Sequence, residues 1–550
     1  MKKNILFIVV AFFTTMSMFA QRKIDKLDRG LVAMKVSNGI FLSWRVLGEE
    51  YYDVSYNVYR DGELITPTPL SVSNYTDRSG GISNKYTVEA VWTGSSQSDL
   101  IDRQREVLSL GTQCAPVTPW SSSYKEIKLT HEGIASTLVP NDACCADMDG
   151  DGELEILMKF DNLSEMEQSY PNNGPTINGK VTHEYSIFEV LKQDGTRLWW
   201  VNCGPNMGDF QNNEQNIVAY DWDGDGKAEA VMRAADGTVI HMANGETYTV
   251  GNSSVNVRGT TGGGVNWFVT TDGEYLVYMN GETGEPYQCI PYPLKRLEAG
   301  ENIETAWNNR WDGGHRCSKH FFGAPYLDGR KPSIFLARGI YTRHKMIAYD
   351  VDPETHKLVV RWTWYNNTNG PWKGQGYHNY AIADVDMDGR DEIIFGSMVI
   401  DDNGKGLSTT GLGHGDAEHV GDLNPYIHGL EIYACLEDNP GNNYRDATTS
   451  KIYHRYIAGS DDGRAMAGNF TNEFPGGLGC SAREGAISTI TGEAVSGLGT
   501  TGVNTNFRIY WDGDLCEETF NYLNGKNTEG CVAKYGSWSP IYTCEGSMTN

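Results

Sequence analysis

Several things are scarce in this 550-residue chain, and each scarcity excludes a class of protein. Positive charge is short: 45 Lys and Arg face 71 Asp and Glu, for a formal net charge of −26. Nucleic acids and anionic membranes are held by Lys and Arg, so neither is expected as a partner. Cysteine is sparse as well. Eleven residues, an odd number, do not make a disulfide-dense scaffold, and no C-x-x-C pair offers zinc or redox chemistry. Mostly buried thiols with one or two bridges are expected, and adjacent Cys144 and Cys145 should point to opposite faces of a strand. No amphipathic helical pattern exceeds two turns, which leaves an all-β chain. Long apolar runs are absent beyond the first twenty residues, so no membrane span is expected in the mature chain.

Residues 1–21, MKKNILFIVVAFFTTMSMFAQ, carry two lysines, an apolar run and then Ala20. This reads as a secretory signal over 1–20, cleaved after Ala20 although Met18 is larger than usual at that position. A secreted, periplasmic or cell-surface location follows. The acidic balance fits export and cation loading. Three divalent ions would bring the charge only to about −20, so an anionic substrate must be met by local positive charge.

The chain is rich in clustered carboxylates. Residues 147–155 read DMDGDGELE, 221–229 read DWDGDGKAE and 384–392 read DVDMDGRDE. The pattern Asp-x-Asp-x-Asp-Gly-x-x-Glu thus occurs three times in one register. Four carboxylates within nine residues repel one another unless a cation sits between them, and the Gly at the sixth position suits a sharp oxygen-donating loop. The flanks are strands rather than helices, and the Glu stands at position 9 rather than 12, which excludes an EF-hand. The expected Ca²⁺ ligands are Asp147, Asp149, Asp151 and Glu155, then Asp221, Asp223, Asp225 and Glu229, then Asp384, Asp386, Asp388 and Glu392. Each ion would staple two strands.

The segments IFLSWR (40–45), VSYNVYR (54–60) and YTVEAVW (86–92) alternate apolar and polar positions, with an Asp61-Gly62 hairpin turn after Arg60. Residues 21–112 read as a fibronectin type III-like β domain with Trp44 in its core and Tyr59 and Tyr86 in facing sheets. From about residue 125, short apolar runs alternate with Gly, Asp and Asn clusters. A recurring strand, acidic loop, strand and hairpin is the signature of a β-propeller blade, and residues 113–550 are assigned to seven or eight of them. Other polar fragments are not needed by a blade: GLGHGDAEHVGD (411–422), GQGYHN (374–379), Asn141 before the first acidic loop and Asp161 after it.

Taken together, LDRGLVAMKVSNGIFLSWR, NDACCADMDGDGELEILMKFD, VAYDWDGDGKAEAVMRAADGT, ARGIYTR, DDNGKGLSTTGLGHGDAEHVGDLNP and DDGRAMAGNF resemble the rhamnogalacturonan lyases of polysaccharide lyase family 11. The resemblance runs from about residue 24 to the end. It implies an eight-bladed Ca²⁺-binding propeller that cleaves the bond from rhamnose to the 4-oxygen of galacturonate in rhamnogalacturonan I, a pectic polysaccharide, by β-elimination. It also implies site residues: Asn141 and Asp161 for substrate recognition, His378 and His414 near a cleft Ca²⁺, and Arg464 as a substrate-binding and catalytic group. Elimination needs the uronate carboxylate neutralised, a base for the C5 proton and help for the departing oxygen.

Two departures modify the expectation. The segments DLNPYIHGLE (422–431) and NFTNEFPGGLG (469–479) are degenerate copies of the acidic loop, and the second has Asn469 where related chains carry Asp. The sequence also stops at Ser547-Met548-Thr549-Asn550, before the Asn-Gly-Thr-Lys motif whose Lys is the family's candidate base. A missing C-terminal end and weak or absent lyase activity are therefore expected. The competing readings are a non-catalytic calcium-dependent propeller that binds glycan or protein, and a glycoside hydrolase using two carboxylates.

Overall fold

The computed structural model describes residues 28–47, 54–93, 110–122, 124–129, 132–134, 138–162, 185–207, 217–255, 273–302, 306–307, 316–366, 370–496, 507–511, 516–522, 530–537 and 539–544. The expected leader and the last four residues lie outside them, as do the side chains of Asn141 and Asp161. Strands dominate, and no described helix is long and apolar enough to cross a membrane.

Near the N-terminus, strands Val32–Val36, Gly39–Ser43 and Asn74–Asp77 form one antiparallel sheet, and Glu63–Leu64, Val54–Arg60 and Tyr86–Trp92 form a second. Asp61 and Gly62 have φ of 51° and 86°. These left-handed values match the twist of a two-residue hairpin and pair Arg60 with Glu63. Trp44 packs edge-to-face on Tyr56 at 5.4 Å, amid Ile40, Leu42, Val58, Tyr86 and Val88. The aromatic expectation needs one correction. Strand alternation sends Val54, Tyr56 and Val58 inward, so Tyr59 faces out and its hydroxyl donates to Glu89. Tyr59 and Tyr86 also share one sheet rather than facing each other.

Among the described residues seven further antiparallel sheets follow in chain order. The first runs through Leu138–Ala146, Glu155–Asn162, Ile187–Leu191 and Arg197–Asn202, extended by Val239–His241 and Thr247–Thr249. The second contains Ile217–Tyr220, Glu229–Ala235, Glu274–Asn280 and Pro286–Pro291; the third, His320–Gly323, Ile334–Arg338, Lys345–Asp352 and Lys357–Tyr365. The fourth contains Ala381–Ala383, Glu392–Phe395, Met398–Ile400 and Gly406–Thr409; the fifth, Glu418–Gly421, Glu431–Leu436, Gly441–Asp446 and Ile452–Ile457. The sixth has Ala465–Gly468, Leu478–Ser481 and Ile487–Ser488, and the seventh has Phe507–Ile509, Glu518–Tyr522, Gly530–Lys534 and Tyr542–Cys544.

Consecutive sheets pack face to face through apolar layers. In the strand Glu229–Ala235, Ala230, Met232 and Ala234 join the layer shared with the first sheet, while Val231 joins the layer shared with the third. Every residue of that strand is buried, which is why its sequence is apolar on both faces. Trp199 lies between the first two sheets with its Nε1 donating to the Gly281 carbonyl at 2.5 Å. Burying a side chain of this kind stabilises by about 2–3 kcal/mol. None of the ten cysteines whose side chains are described is in a disulfide, and six of them are buried. The expected bridges are thus absent among the described residues, because the thiols serve as small apolar core groups.

The first strands of the first three sheets lie against one another in order, as do those of the fourth through seventh. Val218, Tyr220, Phe322 and Ile382, from three such strands, line an open groove of about 690 Å³. Each acidic stretch is the connection between first and second strands. The opposite ends of those two strands therefore point the other way, and that is where the candidate catalytic residues lie.

The loop itself is a repeated device. The Glu that opens the second strand uses Oε2 to accept a backbone N–H: Met148 to Glu155 at 2.8 Å, Trp222 to Glu229 at 3.0 Å, Val385 to Glu392 at 2.8 Å. Leu423 to Glu431 and Trp511 to Glu518 repeat it in the fifth and seventh sheets, at 2.9 and 2.7 Å. The sixth-position glycines Gly152, Gly226 and Gly389 have φ of 88°, 95° and 91°, and each N–H donates to the first Asp of its loop. At the fourth position Gly150 and Gly224 are left-handed, but the fourth sheet has Met387 there, at φ 62° and 55% exposed. A non-glycine residue is strained in that conformation, and its exposed side chain gains little from packing. Met387→Gly is expected to stabilise the protein by about 0.5–1 kcal/mol, read as a rise in denaturation midpoint. A fall would refute the strain argument.

Candidate active site

Four sheets contribute to one polar corner. His378 precedes the first strand of the fourth sheet, His414 and Asp416 precede that of the fifth, and Arg464 precedes that of the sixth. Glu437 follows the second strand of the fifth sheet, and Tyr341 follows the second strand of the third. One donor atom each from His378, His414 and Asp416 lie within 4.8 Å of one another. Residues two apart in an extended segment project to the same side, which lets His414 and Asp416 act together. Between them, Gly415 has no substitute, since a Cβ there would collide with the Cys435 carbonyl and the Tyr377 ring.

His414 is fully buried. Its Nδ1 is 2.6 Å from the Gly376 carbonyl, so Nδ1 carries the proton and Nε2 presents a lone pair. Gly376 is held in turn by its N–H, which donates to Nε2 of His344 at 3.3 Å. His414 Nε2 has no hydrogen-bond partner, although it lies 3.7 Å from Asp416 Oδ1 and 3.5 Å from Glu437 Oε2. His378 Nε2 is 3.4 Å from the same Asp416 oxygen, and the two imidazole centroids are 5.0 Å apart. These separations are long for hydrogen bonds, and the donor atoms converge on one another as metal ligands do.

Electrostatics agree with that reading. Burial alone would raise the Asp416 carboxyl, but His414, His378 and Arg464 outweigh it and hold it below the ordinary range. Crowding by protein atoms, then the neighbouring His414, lowers His378 despite Asp416, although its side chain is 34% exposed. Arg464 donates from Nη1 to the Gly463 carbonyl at 2.6 Å, and its buried Nε has no partner. Nearby Asp462 is fully buried with neither oxygen paired, and burial lifts it to about 6.

Tyr341 wedges this corner. Its ring stacks on His414 at 3.5 Å and 21°, and the Arg316 guanidinium carbon lies 3.5 Å from its centroid. Its hydroxyl donates to Glu437 Oε2 at 2.6 Å. Burial and that bond keep the hydroxyl protonated, far above its ordinary pKa. Tyr341 stands inside the quoted ARGIYTR motif without having been singled out, and Glu437 lies outside every quoted motif. Asp416 stood inside the quoted GLGHGDAEHVGD cluster, and its spacing from His414 was the available clue.

Asn141 and Asp161 sit on the paired strands Leu138–Ala146 and Glu155–Asn162, at the ends away from the acidic loop. Asp161 is in register with Val139, and Asn141 falls where the register shifts between Pro140 and Ala143. This places both on the same end of their sheet as the corner residues are on theirs.

Of the acidic loops, the second brings all four expected groups together: Asp221, Asp223, Asp225 and Glu229. The first groups Asp147, Asp149 and Glu155, while Asp151 bonds to Lys192 Nζ at 2.9 Å; Lys192 also bonds Asp149. The third groups Asp384, Asp386 and Glu392, while Asp388 lies 4.0 Å from Arg390 Nε. Glu392 also gathers with Asp401 and Asp402. The buried Oε1 atoms of Glu155, Glu392 and Glu431 have no partner. In the seventh sheet Lys534 Nζ fills that position, 2.5 Å from Glu518 Oε1.

The chain is all-β, a run of antiparallel sheets preceded by a smaller pair, and its matches lie among the rhamnogalacturonan lyases. Residues 123–540 match the profile described as rhamnogalacturonan lyase family 11, C-terminal domain, and residues 22–104 that described as rhamnogalacturonan I lyases beta-sheet domain. The chain is 37% identical over 544 residues to rhamnogalacturonan endolyase YesW of Bacillus subtilis, covering 96% of this chain and 80% of that protein. It is 35% identical over 557 residues to rhamnogalacturonan exolyase YesX of the same organism, covering 96% and 84%. A solved rhamnogalacturonan lyase of Bacillus licheniformis superposes with a TM-score of 0.75 at 34% identity, covering 91% of this chain and 80% of that one. The chain belongs to rhamnogalacturonan lyase family 11.

Proposed function

We propose that this protein is a rhamnogalacturonan lyase that cleaves rhamnose-(1→4)-galacturonate bonds of rhamnogalacturonan I by β-elimination at the His378–His414–Asp416 corner. The observation that carries the assignment of the site is the unpartnered, buried Nε2 of His414 facing two carboxylates. Such an atom is costly unless it meets a ligand. His378, His414, Asp416 and Glu437 would hold a divalent cation there, and a bound cation supplies Lewis acidity to the uronate carboxylate. The imidazole nitrogens make this donor set unlike the all-oxygen loops, which suit Ca²⁺; the corner also suits Mn²⁺ or Zn²⁺.

The chain's own groups then have defined tasks. Arg464, always charged, pins the uronate and stabilises the negative charge that develops as the C5 proton leaves. Asn141 and Asp161 recognise the sugar chain from the first sheet. A base takes the C5 proton, the electron pair of the C5–H bond forms the C4=C5 double bond as the C4–O bond breaks, and the departing oxygen takes up a proton, so no proton is gained or lost overall. The seven sheets belong to a β-propeller whose first strands surround the axis, with Ca²⁺ in the acidic loops as staples. The unpartnered Oε1 atoms of Glu155 and Glu392 support a cation there. The fibronectin type III-like unit of residues 21–112 precedes the lyase domain in the chain, and the leader directs the protein out of the cytoplasm to its pectic substrate.

Incubation with rhamnogalacturonan I is expected to yield oligosaccharides with a new double bond, seen as ultraviolet absorbance and by mass spectrometry. Saturated fragments carrying an added water would instead make the protein a hydrolase.

A further inference from the structure

Tyr341 combines three features that packing alone does not require. Its φ of 63° lies in the left-handed region, which is a strained outlier for a bulky aromatic residue. Its ring lies flat on His414, so it sets the plane of the imidazole and hence the direction of Nε2. Its hydroxyl holds Glu437 Oε2 at 2.6 Å, the same oxygen that lies 3.5 Å from His414 Nε2. One side chain thus fixes two groups drawn from different segments of the fold. An isolated bridge from Tyr341 to Gly376, just after the strand Ile334–Arg338, ties the wedge to the residue whose carbonyl orients His414.

We propose that Tyr341 is a positioning residue that pre-sets His414 and Glu437 for a divalent cation, its strained backbone being tolerated for that reason. The inference rests on reading the corner as a cation site. Removing a hydrogen bond that orients a metal-binding group commonly weakens metal affinity 10–100-fold. Tyr341→Phe keeps the ring and loses the hydroxyl, so only the hold on Glu437 is released. Tyr341→Asn tolerates the left-handed backbone but loses both ring and hydroxyl.

The test titrates Mn²⁺ into chelated full-length protein and follows lyase rate, and measures Mn²⁺ anomalous scattering at the corner and at the second acidic loop in soaked crystals. For Tyr341→Phe the half-saturating Mn²⁺ concentration should rise about tenfold, with kcat at saturating Mn²⁺ kept within about twofold. Corner occupancy should fall while loop occupancy stays as in the wild type. Tyr341→Asn should show a larger shift in the same direction. A Mn²⁺-dependent wild type matched by both variants in half-saturation and corner occupancy would overturn the inference alone. A wild type with no ion at the corner and a cation-indifferent rate would overturn the reading of the corner and this inference with it.

Discussion

Chelation of divalent cations is expected to lower the melting temperature of this protein sharply, and added Ca²⁺ to restore it. Each acidic loop buries a Glu beside two or three aspartates, and the Oε1 of Glu155 and of Glu392 has no hydrogen-bond partner. An ion bound only by the folded state contributes about 3 kcal/mol at a hundredfold excess over its Kd. Two or three such loops, each loaded with an ion, would contribute much of a domain's stability. A second signature follows from the same carboxyls. Burial, then the neighbouring aspartates, raises Glu155 to about 7, Glu229 to about 9 and Glu392 to about 8 in the cation-free protein. Their folded pKa values exceed the unfolded ones, so the folded state binds more protons from about pH 4.5 to about pH 9. Stability contributed by these groups is complete below that window and is lost as pH rises through it. A bound cation reverses the local field and removes the slope. Thermal melts across pH 5–9, with and without Ca²⁺, should diverge as pH rises. Superimposable curves would show that the loops hold no cation.

Loss of lyase activity should be nearly complete when the corner is altered. His414→Gln keeps most of the ring's volume but removes the oriented Nε2, and Asp416→Asn removes the charge shared by both histidines. Either change is expected to lower kcat/KM by roughly 10²–10⁴-fold, the range for losing a group that stabilises charge in the transition state. Arg464→Ala should cost about 10²–10³-fold. Arg464→Lys should recover part of this, because a point charge replaces the planar fork without its geometry. Circular dichroism and melting curves would separate these losses from unfolding. Rates within threefold of wild type in all three loss variants would place the chemistry elsewhere.

What was legible in the sequence was local. The acidic loops follow from spacing, because the left-handed glycines and the closing Glu are fixed within nine residues. The hairpin at Asp61-Gly62 and the strand alternation around Trp44 were equally readable. Tyr59 was misplaced because sequence shows which residues alternate, not which set faces the core; Tyr56 shares the register of Val54 and Val58 and took that position. The seventh-sheet copy, YWDGDLCEE at 510–518, escaped notice because Tyr510 and Leu515 replace the first Asp and the Gly, although Glu518 makes the same backbone bond. Its Lys534 partner and the Lys192 contact to the first loop are long-range pairings that no local pattern announces. For the corner, His378, His414 and Arg464 were drawn from motifs, whereas Glu437 and Tyr341 are brought in by the turn geometry of neighbouring sheets.

The most direct test of the account is a crystal structure of the Arg464→Ala protein soaked with Ca²⁺ or Mn²⁺ and an unsaturation-free rhamnogalacturonan I oligosaccharide. A cation should lie among His378, His414 and Asp416, with a galacturonate carboxylate on it and the scissile oxygen facing position 464. An oligosaccharide bound away from that corner, or a corner empty of cation beside bound sugar, would contradict it.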